Sequence, residues 1–477
     1  MTDTAPRKGI TRRSAVGGIL GTAALAAAGP GLARNPGRKP NFLFIMADDF
    51  GWGDLSCYGR QEYTTPAIDS LAAQGMQFMH GYANSAVCSA TRMGLITGRY
   101  QYRLRAGLEE PLGGPTWGLP PEHPNLPSLL KKLGYHSALV GKWHLGNLPK
   151  FGPLQSGYDE FWGNRGGGVD YYTHSIANQP DLWDGDVRIE QMGYYTNLLA
   201  DRSLEYLAAR AKEPDKPWLL SLHFTAAHWP WEADNEKGRA DSARIAAKNN
   251  PGELGIADYD GGDLETYAGM VTSMDRNVGR ILSRLRELGM EEDTVVVFTS
   301  DNGGERYSHN WPFNGIKTEL LEGGLRVPFI VRWPGLVAPG SKSDVPVISM
   351  DILPTFLAAA GGAPDPAYPA DGLDIHNALA GSTLPDRPLF WRFWNKDQKA
   401  ARRGQYKYLS INGNEYLFDI VADPQERANL AKRLPDKFAE LKGAFDEWNK
   451  GMIPYDKSVS SFGWTPKELA DHYGWND

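Results

Sequence analysis

The run Asn41–Ala47 (NFLFIMA) is apolar at every position after its first residue. Successive side chains of a strand point to opposite faces, so such a run must be covered on both, as in a parallel sheet between helical layers. Thr294–Thr299 (TVVVFT), His136–Val140, Trp218–Phe224 and Val327–Trp333 are further short strand-like runs. Helical patterns separate them. Ile68–Gly75 is closed by its glycine, Leu126–Leu133 is stopped by Gly134, and Leu264–Leu288 repeats apolar residues at Leu264, Ala268, Val271, Met274, Val278, Ile281 and Leu285. The alternation predicts an α/β fold, a large mostly parallel sheet sandwiched by helices.

The texture changes after about residue 380. Leu389–Trp394, Tyr406–Ile411 and Tyr416–Asp419 read as short strands, with Asn412-Gly413 as a hairpin turn and Lys437–Trp448 as a helix. The expected organisation is an α/β domain over 40–380 and a smaller C-terminal antiparallel-sheet-plus-helix subdomain over 381–477. The polar stretch Asp234–Asp263 reads as a long surface insertion. At the N-terminus, Arg12-Arg13 precedes a mild Ala/Gly-rich run and Gly31-Leu32-Ala33. Residues 1–33 are expected to be a signal peptide of the twin-arginine type, placing the protein outside the cytoplasm, periplasmic or extracellular. The run is too short and glycine-rich for stable membrane insertion.

In open α/β sheets, ligands bind beyond the carboxyl ends of strands. Here those ends carry chemistry. NFLFIMA runs into Asp48-Asp49, TVVVFTS into Asp301-Asn302, SALV into Gly141-Lys142-Trp143-His144, and WLLSLHF toward His228. Asp after a strand more often begins a turn, but four such ends together point to a site. Asp48, Asp49, Asp301 and Asn302 offer only oxygen donors. That set suits Ca2+, with Mg2+ the alternative, and does not suit zinc. The net charge of −7 argues against nucleic acid as a partner, so an anionic substrate needs a locally basic pocket. Only two cysteines occur, Cys57 and Cys88, too few for a disulfide framework. Cys88 and Arg92, four apart, share one face of a helical turn. Cys57 reads as structural or inert, His223 as a satisfied core histidine, and Gly166-Gly167-Gly168 as a flexible turn with no P-loop lysine after it.

The segment C-S-A-T-R-M-G-L-I-T-G-R from Cys88 to Arg99 resembles the signature of the type I, formylglycine-dependent sulfatases, arylsulfatase-like members of the alkaline-phosphatase superfamily. The resemblance spans about 40–450. It includes Ala47-Asp48-Asp49, G-K-W-H-L-G at 141–146, His228-x-Pro230, S-D-N-G at 300–303, E-G-G-x-R-V-P at 322–328 and Leu417-Phe418-Asp419. It implies an alkaline-phosphatase-like fold and conversion of Cys88 to formylglycine by a separate maturation enzyme. The metal ligands it implies are Asp48, Asp49, Asp301 and Asn302, with residue 88 adding an oxygen. An aldehyde hydrate suits a hard cation better than a thiolate does, and it can expel sulfate by collapsing to the aldehyde.

The resemblance also assigns roles. Arg92 orients the hydrate, Lys142 and Lys317 clamp the sulfate, His144 helps regenerate the aldehyde, and His228 is the general acid at the leaving oxygen. Ala90 and Ala227 stand where the family more often has proline. The implied activity is sulfate ester hydrolysis, with a sulfated saccharide as preferred substrate and aryl sulfates as artificial ones. The 15 Trp and 21 Tyr are compatible with a carbohydrate site, although most must fill core. Arg165, Tyr171, Tyr172, His174, Arg306, His309 and Trp311 are candidates for the leaving-group side. The alternatives are a phosphodiester or phosphonate monoester hydrolase of the same superfamily, and a non-catalytic sulfated-glycan-binding homologue.

Overall fold

The structure, a computed structural model, describes residues 38–108, 117–176, 179–248 and 261–455. The expected signal peptide, part of the 234–263 insertion and the chain after 455 lie outside the described residues. Among those described, one ten-stranded sheet dominates. Its strands are β1 (Asn41–Ala47), β2 (Met76–Phe78), β3 (His136–Gly141), β4 (Glu160–Gly163), β5 (Trp183–Asp184), β6 (Val187–Arg188), β7 (Trp218–His223), β8 (Thr294–Ser300), β9 (Phe329–Arg332) and β10 (Ser341–Ser343). Their order is β10-β2-β9-β8-β1-β7-β3-β4-β5-β6. β8, β1, β7, β3 and β4 are parallel, and antiparallel pairings flank them.

The helices that matter here are α1 (Pro66–Gln74), α2 (Cys88–Thr97), α3 (Leu126–Lys132), α4 (Tyr195–Arg210), α5 (Glu236–Lys248), α6 (Leu264–Glu287), α7 (Ile352–Ala359) and α8 (Pro435–Asn449). β1 shows why the sheet must be covered twice. Leu43, Ile45 and Ala47 belong to a core built with α1, α4 and α6, while Phe42, Phe44 and Met46 belong to a second core with α2, α3 and α7. α5 occupies part of the stretch expected to be surface insertion, so that stretch carries a helix of its own.

A second sheet holds β11 (Leu389–Phe393), β12 (Gln398–Arg403), β13 (Tyr406–Ile411) and β14 (Asn414–Asp419), antiparallel in sequence order. Asn412 and Gly413 both take positive φ, 50° and 77°, as a tight two-residue hairpin turn requires. This sheet packs with α8 and with Tyr82, Val87, Ala90, Tyr100, Leu320 and Leu325 from earlier in the chain, as one continuous core. A buried ion group joins the same surfaces, with Lys407 Nζ 3.0 Å from Glu322 Oε1 and 2.9 Å from Glu426 Oε1. The C-terminal sheet therefore braces the segments on both sides of residue 88.

Candidate active site

β1 and β8 pair in parallel with Ala47 opposite Ser300, which sets Asp48-Asp49 beside Asp301-Asn302. Backbone bonds hold the turn beyond β1. Asp48 N–H donates to Ala226 O at 3.1 Å, Ala227 N–H to Asp48 O at 2.9 Å, and Asp301 N–H to Ala47 O at 3.3 Å. β3 runs on into Lys142 and His144, and β7 ends at His223 and leads to His228. α2 begins at Cys88, after Val87 in extended conformation, and all ten of its residues are buried. Gly94 permits this, since a Cβ there would lie 2.5 Å from Asn84 Nδ2.

Single ligand atoms of Asp48, Asp49, Cys88 and His228 lie within 4.8 Å of one another. Cations surround the carboxylates. Lys142 Nζ is 2.6 Å from Asp48 Oδ2, and Lys317 Nζ is 2.8 Å from Asp49 Oδ2. Arg92 donates Nε and Nη2 to Asp301 Oδ2 at 3.1 and 2.8 Å, and Nη1 to Lys142 O at 3.0 Å. Asn302 Nδ2 donates to Asp49 Oδ1 at 2.7 Å. His228 Nδ1–H donates to Trp229 O at 2.6 Å, which turns Nε2 to within 3.5 Å of Asp49 Oδ2.

Burial sets the electrostatics. It pushes the Asp48 carboxyl well above the usual range, with Asp301 adding to the effect and Lys142 opposing it. It pushes the Cys88 thiol well up against the pull of Lys142 and Lys317, so the unmodified side chain is held protonated. His144 and His228 are driven well below the ordinary imidazole value, first by burial and then by neighbouring lysines. Lys317 stays charged because the surrounding negative charges, Asp49 foremost with Glu305 and Asp48, together outweigh its burial. Asp48 Oδ1 and Asn302 Oδ1 are buried with no hydrogen-bond partner. Two orphaned oxygens among three clustered aspartates are what a bound divalent cation would satisfy, so the donor set fits a metal ion.

The sulfatase family model matches residues 40–363. The chain belongs to the sulfatase family. This sulfatase is 34% identical to N-acetylgalactosamine-6-sulfatase of Canis lupus familiaris, over 80% of this chain and 74% of the relative. It is 28% identical to arylsulfatase J of Mus musculus, over 87% and 77%. Among solved structures it resembles Ps i-CgsB in complex with k-i-k-neocarrahexaose, with a TM-score of 0.79, 27% identity, and coverage of 90% of this chain and 96% of that one.

The fold of the sulfatase brings Asp48, Asp49, Cys88, Arg92, Lys142, His228, Asp301, Asn302 and Lys317 into one buried site. His144 is 3% exposed and closes onto the same charges, both ring nitrogens lacking a partner among the described residues. Two histidines from β7 and the loop after it gain partners that the sequence alone does not show. Alongside the expected residue 88, His228 falls within the acid cluster, because the loop after β7 folds over the strand ends. His223 is buried with its Nδ1 3.2 Å from Lys142 O and 3.3 Å from Arg92 Nη1, the satisfied core histidine expected from the sequence.

Several leaving-group candidates are engaged elsewhere. Tyr171 is wholly buried and donates its hydroxyl to His228 O at 3.0 Å, which supports the His228 loop. Tyr172 Oη–H donates to Ala233 O, and His174 Nε2 contacts Gly193 O. Arg165 pairs with Asp186. Trp311 is 61% exposed. Glu232, unmarked by any motif, is buried and accepts from Tyr171 N–H at 2.9 Å.

Proposed function

We propose that this sulfatase hydrolyses sulfate esters of a carbohydrate, using formylglycine formed from Cys88 and a Ca2+ ion held by Asp48, Asp49, Asp301 and Asn302. The observation that carries the reading is the place of Cys88: the first residue of α2, 2% exposed, with Sγ 4.0 Å from Asp49 Oδ1 inside the acid cluster. A protonated thiol there is a poor nucleophile, which supports modification. The modified side chain and the cation together supply a nucleophilic oxygen and a counter-charge for the sulfuryl group.

The chain's own residues do the rest. Each lysine ammonium has three donors, so Lys142 and Lys317 can keep their aspartates and still hold sulfate oxygens. Arg92 fixes Asp301 through two donors to one oxygen, and so keeps a ligand carboxylate in place. His144, held neutral by burial, is suited to accept a proton at residue 88. His228 has its Nδ1 committed to Trp229 O, so Nε2 is the atom that protonates the leaving oxygen. The anionic ester, once bound beside it, opposes the lysines and favours that proton.

Carbohydrate as substrate is supported by the relatives' names, N-acetylgalactosamine-6-sulfatase and the neocarrahexaose complex of Ps i-CgsB. The Arg12-Arg13 segment supports export, and no helix among the described residues is long and apolar enough to cross a membrane. Peptide mass spectrometry across residue 88, together with sulfate release from 6-sulfated N-acetylgalactosamine, tests the reading. Aldehyde or its hydrate with sulfate release is expected. Unmodified cysteine throughout an active preparation, or preference for an aryl phosphodiester over the matched sulfate, overturns it.

A further inference from the structure

Gly166-Gly167-Gly168 follows β4 by way of Asn164 and Arg165, and its place explains its composition. A Cβ on Gly167 would lie 2.7 Å from His144 Cε1 and 2.9 Å from His144 Nε2. One on Gly168 would lie 3.1 Å from His228 Cε1 and 3.3 Å from His228 Nδ1. Neither glycine has a positive φ, so close approach, and not backbone conformation, demands the missing side chains. The strip is also tied down. Asp181, 8% exposed, accepts from Gly166 N–H at 2.7 Å through Oδ2, and from Arg165 N–H at 3.2 Å and Trp183 Nε1–H at 2.7 Å through Oδ1. Asn164 Nδ2 donates to Gly166 O at 3.0 Å, and His144 N–H donates to Arg165 O at 3.1 Å. The sequence reading of a flexible turn is replaced by a backbone plate lying on two imidazoles.

We infer that this glycine strip is a positioning element for His144 and His228, and that Asp181 is the residue that holds it in place. The need is greatest at His144. Among the described residues its ring nitrogens have no hydrogen-bond partner, and the backbone of Gly167 packs directly against Cε1 and Nε2. At His228 the Trp229 carbonyl fixes one nitrogen, and Gly168 limits rotation about that bond. Asp181 acts through the strip and touches neither ring in its hydrogen bonding. The inference rests on the sulfatase reading only for its activity readout.

The test uses Gly167→Ala, Gly168→Ala and Asp181→Asn in the full chain, with two substrates, 4-nitrophenyl sulfate and 6-sulfated N-acetylgalactosamine. A nitrophenolate leaves without help, whereas a sugar alkoxide needs a proton. Gly168→Ala is therefore expected to lose about tenfold more kcat on the sugar sulfate than on the aryl sulfate, and Gly167→Ala to lose alike on both. A merely structural defect would not separate the substrates. Ring nitrogen NMR of histidine-labelled protein with Cys88 unmodified gives a readout free of activity. Gly167→Ala should shift the His144 signals and Gly168→Ala those of His228. Shifted rings in a chain that releases no sulfate would keep the inference and remove the activity reading. Wild-type ring signals in both alanine variants, with a wild-type substrate ratio in Gly168→Ala, overturn it. If the alanine variants do not fold, Asp181→Asn decides: displaced ring signals support the inference, and wild-type signals overturn it.

Discussion

The N–H of Thr318 donates to the carbonyl oxygen of Ala86 at 2.8 Å, which fastens the residue after Lys317 to the chain two residues before Cys88. Gln398, from the C-terminal sheet, grips the same loop. Its Nε2 donates to Thr318 O at 2.9 Å, and its Oε1 accepts from Leu320 N–H at 2.9 Å. Gln398→Ala leaves both groups buried and unpaired, at an expected cost of about 1–3 kcal/mol. The freed Lys317 loop should lower kcat/KM by about tenfold to a hundredfold. Urea unfolding and steady-state kinetics of the one variant check both numbers, and a stable variant with full activity would show that the loop holds itself.

Lys142 has no exposed surface and its ammonium sits on Asp48. Lys142→Ala strands that carboxylate among Asp49 and Asp301. The expected result is a loss of about 3–5 kcal/mol of stability and about 10²–10³ in kcat. Calorimetry alongside turnover measures both. A large kinetic loss without a stability loss would mean that the lysine serves the substrate and not the aspartate.

Metal removal should act on both activity and stability. With three aspartates in one buried site, chelation is expected to abolish turnover and lower the melting temperature. Above saturation, each tenfold rise in free Ca2+ should restore about 1.4 kcal/mol. Titrating Ca2+, Mg2+ and Zn2+ in separate scans identifies the ion. Zn2+ acting at the lowest concentration on matured enzyme would contradict the hard-cation reading.

A pH effect is expected where the two sheets meet. Arg402 Nη2 donates to His80 Nδ1 at 2.7 Å, and burial, with Arg326 and Arg402, lowers the His80 pKa to about 3. The unfolded chain takes up a proton near pH 6.5 that the folded chain refuses, so stability is full above that pH and falls as pH drops toward about 3. By pH 5 the loss is about 2 kcal/mol. His80→Gln should remove this increment from the difference between pH 7.5 and pH 5 unfolding curves, and an unchanged difference would place the acid sensitivity elsewhere.

Strand patterning carried most of the fold. β1 and β13 run over the expected residues, and Leu264–Leu288 differs from α6 by one residue. β12 was not legible. Its QKAARR is half charged, and only neighbours on both sides of the sheet bury Ala400 and Ala401. The strand-end acids were legible because polar residues interrupt apolar runs at one edge. The glycine strip was not, because what a missing Cβ would strike depends on His144 and His228, which arrive from other strands. The partners of His223 were hidden for a similar reason, since alternation in a strand does not reveal that Lys142 O lies beside it.

The continuous core between the C-terminal sheet and α2 also fixes an order of events. Val87 and Ala90 flank residue 88 and belong to the same core cluster as side chains of β11 to β14 and α8, which are synthesised after them. Once those strands dock, no backbone around Cys88 is open to a second protein's active site. Any enzyme that alters this cysteine would therefore have to meet the chain before β11 to β14 have docked on the segment around residue 88.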